Sequence, residues 1–186
     1  MSHRYIALTQ PPYCCVPTAL LMILIRRKLP LLQIIQIGYE LGLAVPETSK
    51  VLFPDARIGV KPTSGFGTEI QNPKYTLNAF FERNKYPLRE TYYQSVPKNE
   101  GSNWVHNLIR NNADVIACFN SASLFRDNTD WGHACLIDKV ENHVVTLVDT
   151  EVNQPKFRTV KFDALLSAIS KHGEANRAGF WVINSA

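Results

Sequence analysis

Cys15 stands directly ahead of a long apolar run, two residues before Pro17, where a helix is expected to begin. A thiol attacks carbonyl carbon only as thiolate, and a free cysteine has a pKa of about 8.5. A helix N-terminus and a neighbouring imidazolium both lower that value, so each favours a nucleophile. Cys15 meets the first condition from its position alone. Cys14, one residue earlier, falls outside it. The alternative is that both are small buried hydrophobes, as free cysteines commonly are.

The second condition is a base, and five histidines are available. His3 is terminal, His106 falls on the polar side of a helix, His143 opens a strand beside a turn, and His172 follows a helix end. These four are expected to be solvated. His133 differs, because it follows Gly132 and enters the apolar strand Ala134-Cys135-Leu136-Ile137. A buried imidazole needs a polar partner there, whether it is a base or a satisfied core residue. A hairpin centred on residue 141 sets Asp149 directly across from His133. Directly opposed residues share a face, with Cβ atoms about 5 Å apart, and a slip by one residue breaks the pairing. A carboxylate there would fix the imidazole tautomer and stabilise its charged form. Asp138, near the turn, and Asp130, ahead of the strand, are poorer candidates. Acyl transfer also needs donors for the developing oxyanion. The backbone N–H of Cys15 is one, and the amide of Gln10 is a second, unless Gln10 is an exposed turn residue.

The elements that must position these groups read as follows. Arg4 to Leu8 is strand-like, and Gln10-Pro11-Pro12-Tyr13 breaks the chain. A helix is predicted over Val16 to Lys28, with Pro17 in its first turn and Arg26-Arg27-Lys28 complementing its C-terminal dipole. Its apolar residues lie nearly all round, which places it in the middle of a domain. A helical stretch follows over 32–40, then a Pro-, Gly- and Ser-containing surface segment over 42–73. Phe53, Phe66 and Tyr75 line a pocket there or form a satellite core under the loop. A short helix is predicted over 74–84, a strand over 88–96 and a helix over 102–111. Strands over 115–119, 132–137, 143–149 and 180–183 complete the chain, with Glu141-Asn142 as a hairpin turn and a helix over 165–171. Helices first, then antiparallel strands, make an α+β domain. Residues 1–186 are expected to form a single domain, with a helical lobe over about 10–85 facing a sheet lobe over about 86–186 across a cleft.

Composition narrows the function classes. The formal net charge is +4, with 45% hydrophobic and 19% charged residues, an ordinary globular balance. The basic residues are scattered apart from 26–28, so no basic stripe for nucleic acid is present. The apolar run from Ala19 to Ile25 is far short of the ~20 residues that span a bilayer. The N-terminus lacks the layout of a signal peptide, and the four cysteines, at 14, 15, 118 and 135, form no C-x-x-C pair. Reduced thiols and a cytoplasmic location are the expectation, with export by a signal-less route left open. Nothing in the sequence sets the oligomeric state.

The layout Gln10…Cys15-x-Pro17-x-Ala19-Leu20-x-Met22-x-Leu24, then Gly132-His133, then Asp149, resembles the C39-like branch of papain-fold cysteine peptidases, which includes bacteriocin-leader peptidases. The closing segment, Asp149 through Gly179-Phe180, is also similar to phytochelatin synthases, a related papain-fold family. The resemblance implies a papain-like fold, a triad of Cys15, His133 and Asp149, and Gln10 in the oxyanion hole. It covers about a third of the chain, and 30–100 match nothing. Three departures stand out: Val16 where these families usually carry Gly, a Gln-to-Cys interval of five residues where six is usual, and Thr150 where Pro is frequent.

The expected function is a thiol-dependent peptidase or peptide-bond acyltransferase, acting through a thioester on a peptide or protein, with no metal or organic cofactor. The alternative is a catalytically silent module of the same fold that binds a peptide or a partner protein. A metal site from Cys14, Cys15 and His133 is a further alternative, but vicinal cysteines lack the usual zinc spacing.

Overall fold

The computed structural model describes residues 2–59, 61, 65–126 and 131–186. Helix α1 (Cys15–Arg26) leads, followed by α2 (Ile34–Glu40). Two residue pairs, β1 (Ala44–Val45) and β2 (Arg57–Ile58), make a small parallel ladder, and α3 (Leu77–Arg83) precedes β3 (Leu88–Tyr93). The rest alternates: α4 (Gly101–Arg110), β4 (Asp114–Asn120), α5 (Ser121–Phe125), β5 (Gly132–Glu141), β6 (Val144–Val148), β7 (Phe157–Lys161), α6 (Phe162–His172) and β8 (Gly179–Ser185). Six strands form one sheet in the order β3-β8-β4-β5-β6-β7, every neighbouring pair antiparallel. The α+β expectation holds.

The sheet carries a core on each face. On one side Leu20, Ile23 and Leu24 of α1 pack with Ile116, Leu136, Val148 and Trp181, and Phe80 and Phe81 of α3 close that layer. On the other, Trp104 of α4 and Phe162 and Leu165 of α6 meet Val115, Ala117, Cys135, Leu147 and Phe180. Burying each such side chain contributes roughly 1.5–3 kcal/mol, so α1 is held by tertiary packing on almost its whole circumference. Eight of its twelve residues are buried. Among the described residues no helix is long and apolar enough to cross a membrane.

The structure departs from the sequence reading in three places. Arg4 to Leu8 forms no strand; the segment is anchored instead by side-chain acceptors, the Arg4 N–H donating to Asp138 at 2.7 Å and the Tyr5 hydroxyl to Asp114 at 2.7 Å. Strand β7 and helix α5 were not anticipated; β7 is a half-exposed edge with little apolar signal. The hairpin turn is Asn142-His143, both at positive φ, one residue later than expected.

Gly179, which opens β8, has φ +141°, and an added Cβ would sit 2.3 Å from the Tyr93 carbonyl oxygen. Backbone cannot swing aside as a side chain can. Gly179→Ala is therefore expected to cost about 3 kcal/mol from strain and overpacking. A lowered urea midpoint at constant slope would show it; a midpoint unchanged from wild type would mean that β3 and β8 separate freely.

Candidate active site

Cys15 is the first residue of α1, and Cys14 is its N-cap, with no side-chain cap. The first helical N–H groups have no intrahelical acceptor, so the helix presents donors and a positive dipole end beside the Cys15 sulfur. Tyr13, in a left-handed turn at φ 65°, delivers the chain into the helix. Cys14 turns away into a satellite core with Leu43, Val45 and Phe53, fully buried. Cys15 alone of the four thiols is half-exposed.

The β5–β6 register decides where Asp149 falls. Near the turn Glu141 pairs with Val144 and Lys139 with Thr146. That register, continued, would set Asp149 opposite Leu136, on the wrong face. A bulge at Asp138 shifts the pairing by one, so Ile137 meets Leu147 and Leu136 meets Val148. Asp149 then falls opposite Cys135, two residues from His133 and on the same face. The expectation of direct opposition is thus corrected by two residues, an even number that keeps the face. The His133 Nε2 and Asp149 Oδ1 are 3.0 Å apart.

Asp149 accepts from His133 Nε2, from the Glu151 N–H at 3.0 Å and from Arg158 Nη1 at 3.0 Å. Burial would raise its pKa, but His133 and these donors outweigh it and bring it down to about 2. For His133 burial works against the charged ring, while Cys135, Asp149 and Cys15 work for it, and the net displacement is well upward. Cys135 is itself pushed up by burial and stays a neutral thiol, so the charge that decides is that of Asp149. Nε2 is taken up by Asp149, which leaves Nδ1 as the second ring nitrogen, and Cys15 lines the same cleft as His133.

Gln10 is buried beside the thiol, not an exposed turn residue. Its N–H donates to the Thr150 carbonyl at 2.9 Å, its Oε1 accepts from the Thr150 hydroxyl at 2.5 Å, and its Nε2 donates to Glu151 at 3.0 Å. Thr150, where the resembling families often have Pro, is what ties Gln10 to the segment after Asp149. Val16, another of the departures, is buried and with Cys15 borders a small cavity of about 60 Å³.

Gln10, Cys15 and His133 open on a cleft of about 690 Å³ walled by Tyr13, Phe66 and Trp131. Of the three aromatics anticipated over 42–75, Phe66 lines the cleft, Phe53 belongs to the satellite core and Tyr75 packs at Gly42. His172 was expected in solvent; it lines the cleft, and a Cβ on Gly132 would meet its ring at 2.3 Å. The other three histidines make hydrogen bonds away from the cleft: His3 to Asp138, His106 to the Val140 carbonyl, His143 to Ser102. Asp138 anchors the N-terminal segment at the bulge, and Asp130 lies outside the described residues.

Among the described residues, one His/Cys/Asp group could hold a metal ion: His133, Cys135 and Asp149, with ligand atoms within 4.8 Å of one another. Cys14 is not in it. The Asp149 carboxylate of this group already accepts from His133, Glu151 and the cationic Arg158, which a divalent cation would have to displace. Sequence reasoning missed Glu151 and Arg158 and gave Thr150 no contact with Gln10; only a correct β5–β6–β7 register would have found these.

No family model and no curated protein matches the sequence. Solved structures do. A C39-like peptidase from Bacillus anthracis superposes with a TM-score of 0.63 at 10% identity, covering 97% of this chain and 94% of that one. A double glycine motif protease from an AMS/PCAT transporter, solved in complex with the leader peptide, gives a TM-score of 0.50 at 11% identity over 98% and 92% of the two chains. Identity this low speaks to architecture alone, and on that ground the chain has the papain-like fold of C39 peptidases.

Proposed function

We propose that this chain is a cysteine peptidase, or a peptide-bond acyltransferase, with Cys15 as nucleophile, His133 as base and Asp149 as the group that orients the base. One observation carries the reading. The half-exposed thiol stands at the N-terminus of a buried helix and shares a peptide-sized cleft with a histidine that is held by a buried carboxylate. In the first step the Cys15 thiolate adds to an amide carbonyl, and the new C–S bond leaves charge on the oxygen. The Cys15 N–H and the Gln10 amide face that charge. The tetrahedral adduct then breaks its C–N bond as His133 gives its proton to the departing amine. Water or a second amine resolves the thioester. A peptide or protein is the substrate class; the AMS/PCAT protease, solved in complex with the leader peptide, gives a precedent for a peptide ligand on this fold.

The test is alkylation by iodoacetamide at pH 6, read cysteine by cysteine by mass spectrometry, in wild type and His133→Ala. Burial pushes Cys14 up to about 12 and raises Cys118 and Cys135 as well, so these three should stay nearly unmodified. Cys15 is expected to react at least about tenfold faster than they do and to lose that advantage in the variant. If Cys15 reacts no faster than the buried thiols, or His133→Ala leaves its rate unchanged, catalysis gives way to a peptide-binding module.

A further inference from the structure

We infer that Glu151 is a positioning residue for the oxyanion hole, fixing which way the Gln10 carboxamide faces. This rests on the Cys15 reading above and deepens it. A carboxamide has two orientations related by a half-turn, and only the one with its NH₂ toward the cleft donates to an oxyanion. At Gln10 the neighbours choose between them. A carboxylate can only accept, so the atom 3.0 Å from Glu151 Oε2 must be Nε2. Thr150 alone would not decide, because its hydroxyl, 2.5 Å from Gln10 Oε1, can donate or accept. With Glu151 in place, reversing the amide would set Oε1 against a carboxylate, and the hydroxyl is left to donate.

One hydrogen of Nε2 is held by Glu151, which leaves the second for the cleft that Gln10, Cys15, His133 and Glu151 line together. Glu151 is itself held in place: its Oε1 accepts from the Val152 N–H at 3.1 Å and its carbonyl from Lys156 Nζ at 2.9 Å. Its own N–H donates to Asp149 Oδ1. The side chain therefore serves the oxyanion donor while the backbone serves the base, and truncating the side chain separates the two.

Two reagents report on the two halves. Acylation of Cys15 by p-nitrophenyl acetate passes through a tetrahedral oxyanion; alkylation by iodoacetamide is displacement at a saturated carbon and makes none. Glu151→Ala keeps the backbone N–H to Asp149. Its Cys15 alkylation rate is expected within about twofold of wild type, while acylation falls at least about tenfold, toward the roughly hundredfold that loss of one oxyanion donor costs. Glu151→Gln, which can still present an amide oxygen to Nε2, should recover most of the loss. Glu151→Lys, which favours the reversed amide, should lose at least as much as Ala. Equal falls in acylation and alkylation would place the effect on Asp149 and His133 and overturn the inference. So would unchanged acylation in Glu151→Ala, or a Gln variant as poor as Ala; in both cases fast alkylation of Cys15 keeps the nucleophile reading. A wild type in which Cys15 is neither acylated nor rapidly alkylated removes both.

Discussion

Asp149→Ala is expected to cut acylation of Cys15 by p-nitrophenyl acetate by about ten-thousandfold, the order of loss seen when a buried triad carboxylate is disabled. The reason lies in the balance at His133. Burial opposes its charge, and the Asp149 carboxylate is the ionised group that overcomes burial. Without it the ring becomes a neutral imidazole free to turn, and the thiol loses an oriented proton acceptor. Arg158, 3.0 Å away, would then present an unpaired cation to the same pocket, pushing His133 further toward the neutral form. Asp149→Asn should lose much less, about tenfold to a hundredfold. Its amide oxygen can still accept from Nε2, and asparagine serves this position in some papain-like triads. If Ala and Asn variants lose equally little, Asp149 does not orient the base.

The same substitution has a pH signature in stability. Asp149 has a folded pKa of about 2, below its ordinary 3.8. The unfolded chain therefore binds more protons between those values, so stability is fully present above about pH 4 and is lost as pH falls through 2. That pairing is worth about 2 kcal/mol in wild type, and the Asn variant should show a flatter stability curve over this window in urea titrations. His133 runs the other way. Its raised pKa adds stability that is present below pH 6.5 and lost as pH rises through the folded value.

How much of this was legible in the sequence depends on the distance over which each feature is encoded. The central helix and its N-terminal Cys15 are local: an all-round apolar run behind a Pro-Pro turn dictates both. His133 on a buried strand is also local, being one polar residue opening an apolar run. The placement of Asp149 beside His133 comes about by a different register from the one the sequence suggests. The turn sits one residue later than expected, and only the bulge at Asp138 returns Asp149 to the right face. Bulges carry little local signal, since here the extra residue is held by His3 and Arg4, some 135 positions away. Glu151 and Arg158 depend on β7, whose half-buried pattern reads as loop. The basic cluster at the end of α1 reads locally as a dipole complement; a local argument cannot reach Asp114, the partner of Arg26 and Arg27 nearly 90 residues on.

Asp114→Ala is accordingly expected to cost 3–5 kcal/mol, roughly what breaking a buried ion pair costs, against a typical total of about 5–15 kcal/mol. Asp114 is fully buried and accepts from Arg26 Nε at 2.6 Å and Nη2 at 2.8 Å, Arg27 Nε at 2.5 Å and the Tyr5 hydroxyl at 2.7 Å. Removing it leaves two largely buried guanidinium groups without an anion, and that desolvated charge is the source of the cost. A triple variant, Asp114→Leu with Arg26→Leu and Arg27→Met, removes all three charges and should recover much of the loss. Urea unfolding of both variants, followed by tryptophan fluorescence, separates the cases. A small loss in Asp114→Ala would mean that water screens the cluster, and a triple variant as unstable as the single would mean that packing rather than charge is at issue. The network also bears on the site. It clamps the last turn of α1 to β4 and β8, through Arg27 to the Ile183 carbonyl as well, roughly 16 Å along the helix from Cys15. A helix pinned at that end and packed along its length cannot slide, so the thiol at the other end keeps its distance from His133. Alkylation of Cys15 in Asp114→Ala, measured in urea well below the unfolding midpoint, should therefore slow together with the loosening of the helix, while His133→Ala slows it with no change in the midpoint of comparable size.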